Sequence, residues 1–304
     1  MAFDAFALIL TMLGLGMLFA RLRALPDTSA EVLNRVVLYV CLPAAVLTYV
    51  PRLHLDASLI GLMVTPWLLM LASWALVSLA TRLCGFARDV HAVLLICVTL
   101  ANSSFIGYPM VRALLGDAAL PYAVVYDQFG TFLLLSTFGL YVIARYSGDT
   151  PPTAAQVLAR IARFPPLWAL LFALLLMPEQ PPAWIGNGLR QLADAMLPLV
   201  MLAVGLSIRL RLSREELTPL GIGLVLKLLV MPALAVPISW LLGLQGQMLQ
   251  VNVLESAMPT MITAAALAIS HRLAPRLAAA MVGYGILLSL LTLPAWVAVL
   301  QHPA

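Results

Sequence analysis

Ten apolar stretches follow one another along the 304 residues, at about 4–20, 32–50, 58–80, 91–115, 121–145, 164–178, 184–208, 217–242, 248–270 and 277–300. A helix that crosses a bilayer needs about 20 mostly apolar residues. The hydrocarbon interior offers backbone amides no partner, so only helices and closed barrels can span it. These lengths fit helices, and no connection between them is long enough for a soluble domain. Composition agrees: 63% of the chain is hydrophobic and 10% is charged, against about 25% charged in an average soluble domain. A disordered chain, a fibre, a disulfide scaffold and a cytosolic enzyme with one apolar core are all excluded.

The charges orient the spans. Asp4 precedes the first stretch while Arg21 and Arg23 follow it. That is the reverse of a secretory signal peptide, so the stretch reads as a first span with the N-terminus outside. Basic residues favour the cytoplasmic side. On this orientation the inner loops carry thirteen arginines: Arg21, Arg23, Arg35, Arg82, Arg88, Arg145, Arg160, Arg163, Arg209, Arg211, Arg214, Arg272 and Arg276. The outer side carries three, Arg52, Arg112 and Arg190. Alternation this strong supports both the count of ten and a C-terminus that is also outside. The net charge of +4 therefore needs no nucleic-acid partner.

Enzyme signatures are missing: no phosphate-binding loop, no GxSxG, no HExxH. Cys41, Cys84 and Cys97 have no paired spacing and read as small buried hydrophobes. The histidines His54, His91, His271 and His302 are scattered. No cofactor or metal is expected, and no enzymatic activity. No two glycines stand four apart, so the usual close-packing signal of membrane helices is absent too. The tryptophans are expected at the membrane interfaces or in packing.

Ten spans divide into two halves of five, residues 1–146 and 164–304, joined by a polar, Pro-bearing cytoplasmic linker at 147–163. An odd number of spans inverts the second half relative to the first, and inverted repeats are a mark of many secondary transporters. Two sequence matches fit. Leu42-Pro43 and Leu197-Pro198 lie mid-span in the second and seventh stretches. Asn102-x6-Pro109 and Asn252-x6-Pro259 lie in the fourth and ninth. The fold class is thus all-α, two inverted five-helix repeats with helices 4 and 9 broken at Pro109 and Pro259.

Proline removes an amide donor and clashes one turn back. Asn102, Ser103, Ser104 and Gly107 precede the first proline; Glu255, Ser256 and Thr260 flank the second. Polar residues beside a break within a span point to unwound backbone lining a cavity. The half-helix after each break would begin with free amides, which attract anions. The candidate substrate-binding residues are Asn102, Ser103, Pro109, Asn252, Pro259 and Thr260.

Lys227 and Glu255 lie deep within the eighth and ninth stretches, roughly 15 Å and 12 Å from their ends at 1.5 Å per residue. An ionisable group at that depth costs at least about 2.5 kcal/mol. The two either bind substrate and a coupling cation or form a structural ion pair. Asp127 and Gln128, near the start of the fifth stretch, are further candidates for coupling, although a solvated helix end is the simpler expectation for them, as it is for Asp194.

The run Thr99–Gly116 (TLANSSFIGYPMVRALLG), with Tyr126-Asp-Gln-Phe-Gly130 and Ser256-Ala-Met-Pro259, resembles the auxin efflux carrier family. The resemblance implies a ten-helix carrier of small carboxylates with a scaffold domain and a transport domain. It places Asn102, Pro109 and Pro259 where helices 4 and 9 cross. The central loop is short, unlike that of the plant carriers, which implies the prokaryotic branch of malate and malonate permeases and a bacterial inner membrane. The expected function is alternating-access transport of a mono- or dicarboxylate, with H+ or Na+ as candidate coupling ion. The alternatives are a non-transporting receptor or sensor and a sodium-coupled carrier of the bile-acid type. The expected partners are the carboxylate and the lipid bilayer, and a homodimer is compatible with the sequence.

Overall fold

In a computed structural model, residues 2–26, 28–53, 58–148, 150, 153–207 and 214–301 are described. Arg209, Arg211, His54, His302 and part of the 147–163 linker lie outside these residues, as do the side chains of Asp4, Arg52 and Arg214. The described residues are almost entirely helical: α1 (Ala2–Leu22), α2 (Ser29–Tyr49), α3 (Leu59–Cys84), α4 (Arg88–Thr99), α5 (Tyr108–Leu115), α6 (Asp117–Ser147), α7 (Ala154–Ala162), α8 (Pro165–Leu175), α9 (Ala183–Ser207), α10 (Glu215–Leu241), α11 (Gly246–Ser256), α12 (Ile262–Ser270) and α13 (Pro275–Gln301). The one extended feature among them is an antiparallel bridge between Ala101 and Thr260.

Among the described residues six helices, α2, α3, α6, α9, α10 and α13, are long and apolar enough to cross a membrane, and α7 with α8 makes a seventh if counted together. Ten spans are therefore not met by continuous helices. The stretches expected at 91–115 and 248–270 are each split, at Leu100–Asn102 and at Ala257–Met261, and the apolar part of α1 is short, Ala7–Leu22.

The chain forms two compact units, each assembled from several segments. The first comprises Met1–Leu55, Ser104–Val124 and Ala162–Ile208; the second comprises Asp56–Ser103, Val125–Ile161 and Arg209–Ala304.

In the first unit α1 lies along α9, and α9 and α8 also pack on α2. The approach of α1 to α9 is set by Gly16 and Gly205. A Cβ on Gly16 would stand 2.5 Å from the Leu202 carbonyl oxygen and 2.8 Å from the Gly205 Cα. Without water to drive helices together, such backbone contact supplies the packing energy. Spacing within one helix could not reveal the pair, because each helix contributes a single glycine.

The second unit is built around α4. Residues Ala92–Val98 are buried all round, and α4 packs against α3, α6, α10, α12 and α13. A helix apolar on every face belongs in an interior, and the run AVLLICV has no polar side chain to conflict with that. Outward-facing positions of this unit include large apolar side chains as well: Trp240, Leu241 and Leu291 are exposed. Cys41 and Cys97 are buried as expected, but Cys84 is exposed, because it closes α3 just before Gly85 reverses the chain with φ +68°.

Candidate functional site

Among the described residues wide turns of the π type recur along the chain, and three of the five hold candidate polar residues. They occur at Val37–Cys41, Ser103–Gly107, Asp127–Thr131, Leu135–Gly139 and Leu226–Val230. Three of them are followed two residues later by Pro43, Pro109 and Pro232. Proline would press against the carbonyl four residues back, and a wider turn relieves that clash. It also leaves carbonyls without amide donors, and indoles fill two of them. Trp296 Nε1 donates to Leu228 O at 3.0 Å, and Trp67 Nε1 donates to Phe129 O at 3.2 Å. Single wide turns gather at functional sites in many helices. Here they carry Ser103, Asp127 and Lys227.

All three belong to the second unit, where two interrupted helices meet main chain to main chain. The amide of Asn102 donates to Pro259 O at 2.8 Å, and the amide of Met261 donates to Leu100 O at 2.9 Å. Thr260 Oγ1 donates to Cys97 O at 2.9 Å, capping the open end of α4. Pro259 is suited to this crossing, since its carbonyl accepts while its missing amide costs nothing. The break after α4 has a different position from the one expected. It falls at Leu100–Asn102, and Pro109 instead sits in the first turn of α5. Asn102 and Asn252 are also not equivalent. Asn102 forms part of the crossing, whereas Asn252 lies within α11, where its Nδ2 donates to Thr65 Oγ1 at 3.0 Å and Ser239 Oγ at 2.8 Å.

Around the crossing lies a buried polar cluster. Asn102, Ser103, Asp127, Gln128, Lys227, Asn252, Glu255, Ser256 and Thr260 are all at most 2% exposed. Ser103 Oγ donates to Asp127 Oδ1 at 2.6 Å and Gln128 Nε2 donates to Asp127 Oδ2 at 3.0 Å. The expectation of a solvated end for Asp127 and Gln128 is thus corrected. Helix α6 starts early, at Asp117, which puts Asp127 well inside it. Asp194 does keep an exposed side chain, in a different place: it meets Arg112 in the first unit.

Lys227 and Glu255 do not form an ion pair. The ammonium reaches Ser256 O at a long 3.5 Å, and neither Glu255 oxygen has a hydrogen-bond partner. Asp127 and Lys227 both lie within electrostatic range of the Glu255 carboxyl. Asn102 Nδ2, Gln128 Oε1 and Asn252 Oδ1 are likewise buried without partners. Leaving a buried polar atom unpaired costs about 1–3 kcal/mol, so such a concentration is unusual for an interior and calls for an explanation. Among the described residues no group of His, Cys, Asp and Glu could hold a metal ion.

Of the candidate residues, Pro109 alone belongs to the first unit, where it lines a cavity of about 770 Å³ with Tyr49, Arg112, Asp117, Arg190 and Asp194. Thr65, Ser239 and Tyr126 are additions to the site. Tyr126 Oη and Ser256 Oγ are 3.1 Å apart. The signal for Thr65 and Ser239 is a hydroxyl within an apolar span, which is common enough to go unnoticed without its partner.

A family model described as membrane transport protein matches residues 1–297. The chain belongs to that family, the auxin efflux carriers. It is similar, at 31% identity over 296 residues and 96% of each chain, to an uncharacterized transporter of Methanothermobacter thermautotrophicus. An uncharacterized transporter of Methanocaldococcus jannaschii is 24% identical over 282 residues, 90% of each chain. The resemblance carried by the Asn102–Gly116 block is thereby met over the whole chain. This member of the family is a multi-pass membrane transporter whose interrupted helices pair at Ala101 and Thr260.

Proposed function

We propose that the chain is a secondary transporter of small organic anions, mono- or dicarboxylates such as malonate or malate. It works by alternating access, with the solute at the crossing of residues 100–102 and 259–261. The observation that carries this is the gathering of unpartnered polar atoms around one backbone crossing in a buried setting. Asn102 Nδ2 offers a donor. So does the start of α12: Ala265 is the first residue there whose amide is accepted by the helix, at Met261 O, 3.2 Å. The amides of Ile262, Thr263 and Ala264 precede it, and helix N-termini of this kind bind carboxylates. The oxygens of Glu255 face the opposite requirement, a cation. Proton or sodium coupling through Glu255, with Asp127 and Lys227 nearby, follows from that.

The topology belongs to the same proposal. One span each for the apolar part of α1, the α7–α8 pair, α4 with α5 and α11 with α12 brings the six long helices to ten. Two inverted repeats, an inner-membrane location and both termini outside are then the arrangement that the arginine alternation favours.

Purified protein in liposomes, screened with labelled malonate, malate and aromatic acids under imposed proton or sodium gradients, tests it. At least one carboxylate should accumulate, and faster with one of the two gradients. Absence of flux for every acid, from protein that is monodisperse and folded, would overturn the proposal.

A further inference from the structure

A second polar cavity, of about 440 Å³, opens at one end of the second unit between the close of α3, the start of α4 and the close of α6. Arg82, Arg88 and Arg145 line it together with Thr81, His91 and Tyr146, and among the described residues no carboxylate lines it. The nearest acid in sequence, Asp89, is exposed and is not one of the lining residues. Three guanidinium groups around one cavity repel one another, a cost that a bound anion converts into attraction.

The groups are also held in place. Arg88 Nη2 donates to Arg145 O at 3.0 Å, and its guanidinium lies 5.4 Å from the Tyr146 ring centroid. His91 Nδ1 and Thr81 Oγ1 are 2.7 Å apart. Arginine fixed by stacking and one hydrogen bond keeps its remaining N–H groups set for a phosphate oxygen. The first turn of α4 has no side-chain cap on its amides, which adds donors of the same kind. Beside the cavity α3 exposes Leu79 and Leu83, 53% and 77% accessible. Basic pockets at the cytoplasmic ends of membrane helices bind anionic headgroups, and an exposed leucine face next to one fits the acyl chains.

We infer that this cavity is a phosphate-binding site, taking the headgroup of an anionic phospholipid or a free phosphate. It is separate from the crossing of residues 100–102 and 259–261 and does not depend on which solute is carried.

Native mass spectrometry of the detergent-purified full chain with cardiolipin, phosphatidylglycerol or phosphatidylcholine tests the site. A thermal-shift series with inorganic phosphate is run in parallel. Wild type should retain the anionic lipids and not phosphatidylcholine, and the Arg88→Gln/Arg145→Gln variant should bind them at least tenfold more weakly. Phosphate that raises the melting temperature of wild type, but not of this variant, would assign the site to soluble phosphate instead. Arg88→Lys/Arg145→Lys keeps the charge and should keep much of the binding; if the glutamine variant fails to fold, Arg82→Gln is read in its place. Arg21→Gln/Arg23→Gln removes two basic residues elsewhere and should change nothing. Undiminished binding of both ligands by the cavity variants, or an equal loss in Arg21→Gln/Arg23→Gln, would overturn the inference.

Discussion

The amide of Asn102 donates to the carbonyl of Pro259 at 2.8 Å, across 157 positions of sequence. The bond and its companion from Met261 to Leu100 turn two helix breaks into one joint. Each break would otherwise expose main-chain groups inside the membrane, at a cost of several kcal/mol per group. Pairing reduces that cost and leaves the side chains, rather than the backbone, to meet a solute.

Asn102→Ala and Asn102→Pro should therefore separate. Alanine keeps the amide, and the Asn102 Nδ2 it removes has no partner, so stability should fall by no more than about 1 kcal/mol. Proline removes the donor to Pro259 and strands a buried carbonyl, at about 1–3 kcal/mol. Thermal melting in one detergent, with both variants side by side, checks the order. Equal melting temperatures would deny the joint its structural role.

Gly205→Leu should loosen the first unit. A Cβ there runs into the Leu13 carbonyl oxygen and lies 2.8 Å from the Gly16 Cα. Backbone cannot swing aside as a side chain can, so the cost should reach the upper part of the about 1–3 kcal/mol typical of overpacking. Gly221→Leu, with nothing near its Cβ position, is the control and should melt close to wild type.

Asn252→Ala deletes both hydrogen bonds to Thr65 and Ser239 and should destabilise by about 1–3 kcal/mol. Thr65 Oγ1 and Ser239 Oγ keep their own bonds to Gly61 O at 2.8 Å and Ala235 O at 2.7 Å, so adding Thr65→Val and Ser239→Ala to Asn252→Ala should cost less than the same two changes do in wild type, where they strand the Asn252 amide. Losses that simply add in the triple variant would mean that the three side chains do not act together.

Glu255→Gln should fold at least as well as wild type, since it removes an unpartnered buried carboxyl whose ionised form is costly there. Any dependence of uptake on a proton or sodium gradient should disappear with it. Retained gradient dependence in a folded variant would place the coupling elsewhere.

Much of this was legible in the chain, and what was not has a common cause. Polar residues within apolar stretches, Asn102, Lys227, Glu255 and Thr260, marked the cluster, because lipid tolerates them only when turned inward. The location of the first break was not legible. Leu100–Asn102 contains no proline, and what unwinds it is the partner segment at 259–261, distant in sequence. Asp127 was placed too near an end because α6 begins with a short turn at Asp117 that hydropathy does not register. Gly16 and Gly205 stand on different helices, and only the packing of α1 on α9 pairs them. Local pattern reported which polar residues are buried; contacts between remote segments decided geometry.

Initial-rate uptake of a labelled carboxylate by liposomes, with wild type and Asn102→Ala at matched amounts and matched melting temperature, tests the crossing most directly. The expected result is a loss of at least tenfold in the variant, with cold carboxylate competing in wild type. Unchanged uptake in a folded Asn102→Ala protein would contradict a solute site at the Asn102–Pro259 joint.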